Sequence, residues 1–307
     1  MQIKNKKILL TGASGFLGTY VLRELKKQKP KIIYTPSHLE ADLTNRKVCE
    51  KVVNDIDIVI HLAALIGGIG FIDKRPGDLF YQNVTMGIEL MEASRKAGVK
   101  KFVTMGTVCE YPEYTKIPFN EDDLWMGYPE ETTAPYGWAK KILIVQSKAY
   151  RKQYGFNSIH LLPVNLYGPG DNFDKKLSHV IPALIKRFVE AKRNNEKKVK
   201  VWGSGLATRE FLYITDAAKA IVLATQKYDL SEPINLGTGV ETSIKEVSEM
   251  IANIVDFRGK IVWDRDKPDG QPRRRLDISR AKKIGYSPSV MLREGLERTI
   301  EWYEKNF

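Results

Sequence analysis

Tyr136 and Lys140 stand four residues apart in the run Tyr136-Gly137-Trp138-Ala139-Lys140. On a helix this spacing puts the phenol and the ammonium on one face, a turn apart. An ammonium beside a phenol makes the phenolate easier to reach. Such a pair can exchange a proton with a carbonyl oxygen near neutral pH. A third hydroxyl, Thr107, follows the apolar run Lys101–Met105. A second constellation is Gly12-Ala13-Ser14-Gly15-Phe16-Leu17-Gly18, a G-x-x-G-x-x-G between a short apolar run and a helical pattern. Glycines there let the backbone turn tightly and approach a pyrophosphate, and the helix N-terminus adds free N–H groups. Together these residues point to carbonyl redox chemistry with a bound dinucleotide.

The elements that must hold these residues alternate. Strand-like runs at 6–11, 31–35, 56–63, 101–105 and 158–162 are separated by helical patterns at 16–27, 46–54, 83–96 and 136–154. The run at 56–63 is apolar enough to be buried on both faces. Short connections in a β-α-β-α series imply an α/β fold of Rossmann type, a doubly wound parallel sheet. After Gly168 prolines, glycines and charges rise, which marks a smaller C-terminal α/β region. Residues 1–168 would form the dinucleotide domain, with 209–240 returning to it through a strand at 233–236. Residues 169–208 and 241–307 would form the second domain.

Composition excludes several classes. The chain has 307 residues, 43% hydrophobic and 28% charged, which is globular composition. No stretch approaches the ~18 uncharged apolar residues of a membrane span; the longest candidate, 58–72, contains His61 and three glycines. The opening apolar run 8–10 is too short for a signal-peptide core. Two cysteines, Cys49 and Cys109, make neither a disulfide framework nor a metal site, and a cytoplasmic setting follows as the expectation. The four histidines show no H-x-x-x-H, so no metal is expected. The net charge of +12 suggests anionic partners. No nucleic-acid signature accompanies the basic residues at 192–200 or Arg273-Arg274-Arg275, so a solvated face is the simpler reading there.

An NAD site places an acid at the end of the second strand, ~20 residues past the glycines. Here that strand ends in Tyr34-Thr35-Pro36-Ser37-His38, and the nearest acid is Glu40 beyond a proline-broken turn. Ser37 and His38 can donate to a 2′-phosphate. This points to NADP, with NAD as an alternative because no arginine stands there. Asp42 is placed to reach the adenine edge.

Further motifs carry a resemblance that covers nearly the whole chain. They include Leu65-Ile66-Gly67-Gly68-Ile69, Tyr81-Gln82-Asn83, Met105-Gly106-Thr107-Val108-Cys109-Glu110-Tyr111-Pro112 and Pro163-Val164-Asn165-Leu166-Tyr167-Gly168-Pro169. Asp171-Asn172-Phe173, 178–184 around His179, 201–205 around Trp202, Arg209-Glu210-Phe211-Leu212, Asn235-Leu236-Gly237-Thr238-Gly239 and Lys267-Pro268-Asp269-Gly270 extend it. The chain resembles the GDP-L-fucose synthases, in the extended branch of the short-chain dehydrogenase/reductases. That resemblance implies epimerisation at C3 and C5 of GDP-4-keto-6-deoxy-D-mannose, then reduction at C4 with NADPH.

The resemblance also implies roles. A C4 ketone acidifies the C–H bonds at C3 and C5; Cys109 and His179 would remove and return those protons. Thr107 and Tyr136 would hydrogen-bond the C4 oxygen where charge develops, with Tyr136 its proton donor. Leu43, Ala63, Ala64, Lys140, Pro163, Val164, Asn165, Leu166 and His179 would line the cofactor beside the glycine loop. Arg187, Trp202, Arg209 and Asp269 would hold GDP, arginine because its fork binds two phosphate oxygens. A homodimer packed through the 83–96 and 136–154 helices is the expected assembly.

Departures from the family pattern bear on these roles. Thr107 stands where the family has Ser. Val108 and Glu110 flank Cys109, and a carboxylate facing inward there would disfavour the thiolate. The family's two NADP-contacting arginines are Ser14 and His38 here. The paired asparagines are missing from Phe71-Ile72-Asp73. Two rival readings follow: a reductase or an epimerase acting on another nucleotide 4-keto sugar, such as a heptose or dideoxy sugar, and a non-catalytic NADP- or RNA-binding relative.

Overall fold

A computed structural model describes residues 1–174, 177–267 and 269–307. The chain runs β1 (Lys7–Thr11), α1 (Phe16–Lys27), β2 (Ile32–Tyr34), α2 (Arg46–Val52), β3 (Ile58–His61), α3 (Ile69–Lys74), α4 (Pro76–Lys96) and β4 (Lys101–Met105). Then come α5 (Ala134–Tyr154), β5 (Ser158–Pro163), β6 (Asn165–Tyr167), α6 (Val180–Arg193), β7 (Lys198–Trp202), β8 (Thr208–Tyr213) and α7 (Ile214–Lys227). The last elements are β9 (Ile234–Leu236), β10 (Glu241–Ser243), α8 (Ile244–Val255), β11 (Lys260–Asp264), α9 (Ser279–Lys283) and α10 (Leu292–Asn306).

Six parallel strands form the main sheet in the order β2-β1-β3-β4-β5-β9. β3 and β4 are buried along their whole length, as strands covered by helices on both faces must be. The chain leaves β1 toward β2 and returns on the other side at β3. The crevice at the carboxyl ends of β1 and β3 is therefore the topological switch point.

Two helices are longer than the apolar spacing predicts. α4 starts at Pro76, not at 83, because proline fits the first helical position, where no N–H bond is lost. α5 likewise starts at Ala134 with Pro135 in its first turn, and ends at Gly155, whose φ of 66° only glycine adopts cheaply.

Among the described residues the buried apolar side chains form four clusters, two of which are the largest. The first packs the main sheet with α1, α7 and β9, and takes in Leu276, Ile278, Ala281 and Tyr286 from beyond residue 241. The second joins Tyr167 and Phe173 to α6, β7, α8 and α10. Two small sheets serve it, β10-β8-β6 and the parallel pair β11-β7. Since β6 follows β5 after one residue and β8 runs straight into α7, both cores share continuous backbone at the site.

Candidate active site

The glycine loop is shaped by close approach. Gly12 has φ 71°, and a Cβ on it would lie 2.7 Å from the Ala63 nitrogen. A Cβ on Gly18 would lie 2.0 Å from the Gly12 carbonyl oxygen, so α1 reaches the loop only because both are glycine. Thr11 ties the ends of β1 and β3 together: its Oγ1 accepts from Ala63 N (3.2 Å) and pairs with the buried His61 Nδ1 (2.9 Å). Ala63 and Ala64 therefore stand beside Gly12. Gly15 is the N-cap of α1 without a side-chain bond, and Phe16, Leu17 and Gly18 donate no backbone hydrogen bond among the described residues. Ala13 is buried and Ser14 exposed. Free N–H groups above a glycine cradle fit a pyrophosphate.

At the end of β2 the Ser37 donors are already engaged. Ser37 N and Oγ both donate to Glu40 Oε2, at 2.8 and 2.9 Å. The turn past Pro36 thus folds Glu40 back onto Ser37, while His38 stays exposed. Asp42 Oδ1 accepts from Thr44 N and Oγ1, and Leu43 is buried.

A 3-10 turn, Val108–Glu110, carries the thiol. Thr107 caps it: Cys109 N donates to Thr107 Oγ1 (3.2 Å), and Thr107 N donates back to Glu110 Oε1 (2.8 Å). Glu110 is fully buried, and its carboxylate is engaged by partners other than the thiol. His160 Nε2 donates to both of its carboxylate oxygens (3.1 Å each), leaving Nδ1 to pair with the Thr104 hydroxyl (2.6 Å). Gly106 is glycine for this reason, since a Cβ there would meet His160 Nε2 at 2.2 Å. The carboxylate that the sequence places beside Cys109 is thus a brace for the turn.

The turn packs on α5 at Gly137, where a Cβ would lie 2.3 Å from the Cys109 carbonyl oxygen. This contact brings Cys109 against Tyr136. Tyr136 and Lys140 are both buried, with the Lys140 Nζ 6.0 Å from the Tyr136 ring centroid. Burial, with Cys109 and Glu110 adding to it, pushes the phenol well above its ordinary range. Lys140 does not offset that shift as the helical spacing suggests. Burial lowers its own ammonium to about 8, against an opposing pull from Glu110. Lys140 makes no hydrogen bond among the described residues, so its donors are unspent in the crevice.

His179 stands at the N-cap of α6 in extended backbone, with no capping bond from its side chain. The side chain opens to solvent, yet the walls around it lower its pKa by desolvation. The segment before it is tied to the turn that leads into α3, with Gly68 N donating to Leu177 O (3.0 Å). Leu65 before that turn and Phe71 and Ile72 of α3 pack with Tyr136, so His179 and Tyr136 flank the same segment. Pro163 and Val164 are buried at the end of β5, Asn165 Nδ2 donates to Glu210 O (3.3 Å), and Leu166 packs against the first core.

The remaining expected residues form a second wall. Arg187 on α6 stacks 5.7 Å from the ring centroid of Trp202, and its Nη1 donates to Lys200 O (3.0 Å). Trp202, at the end of β7, is 59% exposed. Asp269 accepts from Ser204 N (2.7 Å) and Ser204 Oγ (2.6 Å). Arg209 Nη2 donates to the Asp269 carbonyl (3.2 Å), and burial followed by the nearby Arg274 lowers Arg209 to about 10. Pro268, within the Lys267-Pro268-Asp269-Gly270 motif, lies outside the described residues.

Comparison with known proteins matches this geometry to one group. Residues 8–237 match the NAD dependent epimerase/dehydratase family. The chain belongs to that family. It is 38% identical to GDP-L-fucose synthase 1 of Arabidopsis thaliana, over 100% of this chain and 95% of the relative. Among solved structures it is similar to a GDP-6-OMe-4-keto-L-xylo-heptose reductase of Campylobacter jejuni, with TM-score 0.92, 30% identity and 100% and 99% of the two chains covered. It is also similar to a GDP-L-fucose synthetase of Naegleria fowleri bound to NADP, with TM-score 0.88, 28% identity and 99% and 95% covered.

In this family member the structure gathers Thr107, Cys109, Tyr136 and Lys140 around one helix start. It carries Arg187, Trp202, Arg209 and Asp269 on the neighbouring wall. Three sets of contacts are not evident from sequence. His160 and Glu110 are paired across 50 residues, a contact no local pattern encodes. Lys141, next to Lys140, is fully buried, donates to Glu110 O (3.2 Å) and Leu124 O, and lies 4.8 Å from the ring centroids of both Trp125 and Trp138. Arg274 reaches Cys109 from the far end of the chain. The Trp138 and Trp125 rings on either side were the available hint for Lys141.

Proposed function

We propose that this chain converts GDP-4-keto-6-deoxy-D-mannose to GDP-L-fucose, epimerising C3 and C5 and reducing C4. The observation that carries this reading is the contact at Gly137, which brings Cys109 against Tyr136. A group able to take a proton from carbon and a group able to give one to the C4 oxygen then share one substrate position.

Cys109 takes the proton at C3 or C5, and the charge moves onto the C4 oxygen beside Thr107 and Tyr136. His179 returns a proton on the opposite face. Tyr136 then protonates the C4 oxygen, and its high pKa keeps it a proton donor at neutral pH. NADPH, when bound, supplies the hydride for C4. Phe16, Leu17 and Gly18 N–H groups would hold its pyrophosphate, and Lys140 its unspent donors toward a ribose. NADPH is the preferred cofactor, by roughly tenfold or about 1.4 kcal/mol over NADH, a small margin because no arginine stands at 14 or 38. The +12 charge serves the diphosphate ligand rather than a nucleic acid. The protein acts in the cytoplasm as a homodimer through α4 and α5, which carry exposed Tyr81, Ile142 and Val145. Both cysteines are free, and among the described residues no helix is long and apolar enough to cross a membrane.

The test is product analysis by NMR with GDP-4-keto-6-deoxy-mannose. Without NADPH in deuterated water the protein should wash deuterium into C3 and C5, and Cys109→Ser should abolish this, since a hydroxyl is a poor base for a carbon acid. Cys109→Ser should still reduce the unepimerised sugar. Undiminished exchange in Cys109→Ser would remove Cys109 as the base. No exchange in the parent protein would favour the second reading, a C4 reductase of another GDP-4-keto sugar, for which the likeness to the heptose reductase speaks.

A further inference from the structure

The three consecutive arginines 273–275 read in sequence as one basic cluster, but the structure separates them. Arg273 forms a two-point pair with Glu241, at 2.6 and 3.0 Å. Arg274 turns the other way, and its Nη1 lies 3.8 Å from Cys109 Sγ, within donor range of a sulfur. Its Nε donates to Gln271 Oε1 (2.6 Å), and the buried Gln271 is itself held by Glu113 O (2.6 Å). The backbone on both sides is anchored: Thr208 N donates to Pro272 O (2.9 Å), Phe119 N to Arg275 O (2.7 Å) and Leu276 N to Glu210 Oε2 (2.7 Å). Among the described residues no carboxylate lies within ion-pair distance of Arg274, so its charge is not spent elsewhere.

We propose that Arg274 is a positioning residue for epimerisation, holding Cys109 as the thiolate that takes the proton from C3 or C5. This rests on the reading of Cys109 as the base. In the step, the sulfur lone pair forms the S–H bond. The C–H electron pair becomes the C=C bond of the enolate, and the C4 carbonyl π pair moves to its oxygen. Charge thus leaves the sulfur beside Arg274 and arrives beside Thr107 and Tyr136. A guanidinium fixed at the sulfur favours the starting thiolate, as an opposite charge at short range does for any acid.

Other titratable groups also face Cys109. Tyr136 comes from α5 and Arg209 from β8, while Glu110 on the same turn is committed to His160 and Thr107 N. Asp269 and Glu130 lie near Arg209 on that side, and among the described residues none of these carboxylates pairs with Arg274. Cys49 is the internal contrast. It is fully buried, donates to Leu43 O (3.2 Å), and is pushed up to about 12 by burial, with the carboxylates of Glu89, Asp42 and Glu50 adding to it.

The experiment measures alkylation of Cys109 by iodoacetamide across pH, read at its own peptide by mass spectrometry, together with deuterium wash-in at C3 and C5 without NADPH. Arg274→Gln should slow alkylation at neutral pH about tenfold, with the rate recovered at higher pH. Wash-in should fall by a similar factor, while NADPH affinity stays unchanged. Arg274→Lys should restore most of both rates, because it keeps the charge. Alkylation of Arg274→Gln at the parent rate across the pH range would overturn the proposal, whatever the exchange shows. So would equal losses in the Gln and Lys variants with an unshifted pH profile, the mark of a purely structural role. If the parent protein shows no exchange but its alkylation depends on Arg274, the ion pair stands and the epimerase reading falls.

Discussion

The two walls of the site are built in opposite ways. The wall of Thr107, Cys109, Tyr136 and Lys140 lies beside the first core, and its geometry comes from contacts that leave no spare volume, with side chains at Gly106 and with backbone at Gly137. The wall of Arg187, Trp202 and Asp269 sits on the second core and is partly exposed. Arg187 and Trp202 are held by cation–ring contacts and one bond to a carbonyl, and Asp269 by two bonds from Ser204. Chemistry on carbon and hydride needs atoms fixed to within about an ångström. Holding a nucleotide needs charge and area, which a looser surface supplies.

The sharpest way to break this contrast is Gly137→Ala. A methyl 2.3 Å from the Cys109 carbonyl must push the 107–110 turn off α5. Exchange at C3 and C5 and reduction at C4 should both fall by about a hundredfold, with a lower thermal midpoint, whereas GDP affinity should hold. Steady-state kinetics with both readouts decide it; a near-normal variant would mean that the rigid wall is not rigid.

The next effect is pH dependence. Lys140 is an ammonium below about pH 8 and neutral above it, because burial lowers its pKa. Reduction at C4 should therefore fall as pH rises through 8, approaching tenfold per pH unit beyond it. Deuterium exchange measured without NADPH should lack that limb. Lys140→Arg, which keeps its charge, should move the limb to higher pH.

A smaller effect belongs to the exposed wall. Trp202→Ala removes the ring that Arg187 and Lys267 approach. KM for the GDP-sugar should rise about fivefold with kcat unchanged, since cation–π contacts at exposed sites contribute roughly 0.5–1 kcal/mol each. A fall in kcat instead would erase the distinction between the walls. The smallest effect concerns the cofactor. Glu40→Gln frees Ser37 and removes a carboxylate from the end of β2. The ratio of kcat/KM for NADPH over NADH should widen by about two- to threefold; equal or better efficiency with NADH in the parent protein would overturn the NADPH preference itself.

Much of this was readable along the chain because it is local. The G-x-x-G-x-x-G loop lies between a strand and a helix by its own turn chemistry. Tyr136 and Lys140 share a face because a helix repeats every 3.6 residues. The parallel sheet follows from apolar runs alternating with helical spacing, and the return of 234–236 to the first sheet is visible in its apolar character. The family motifs then assign Cys109 and His179, which no periodicity marks.

What only tertiary structure decides is where side chains turn. Glu110 beside Cys109 looks from sequence like a threat to the thiolate; the fold brings His160 from β5 beneath the turn, and the carboxylate faces it. Glu40 looks remote from the end of β2, yet the turn past Pro36 closes it on Ser37. Arg274 reads as part of a solvated cluster and reaches a thiol 165 residues earlier. Lys140 reads as a cation for Tyr136 and is itself lowered by burial. Sequence spacing determines the faces and the elements, since both are set by backbone geometry within a few residues. Charge pairing and burial depend on which distant elements pack together, and only the assembled fold determines that.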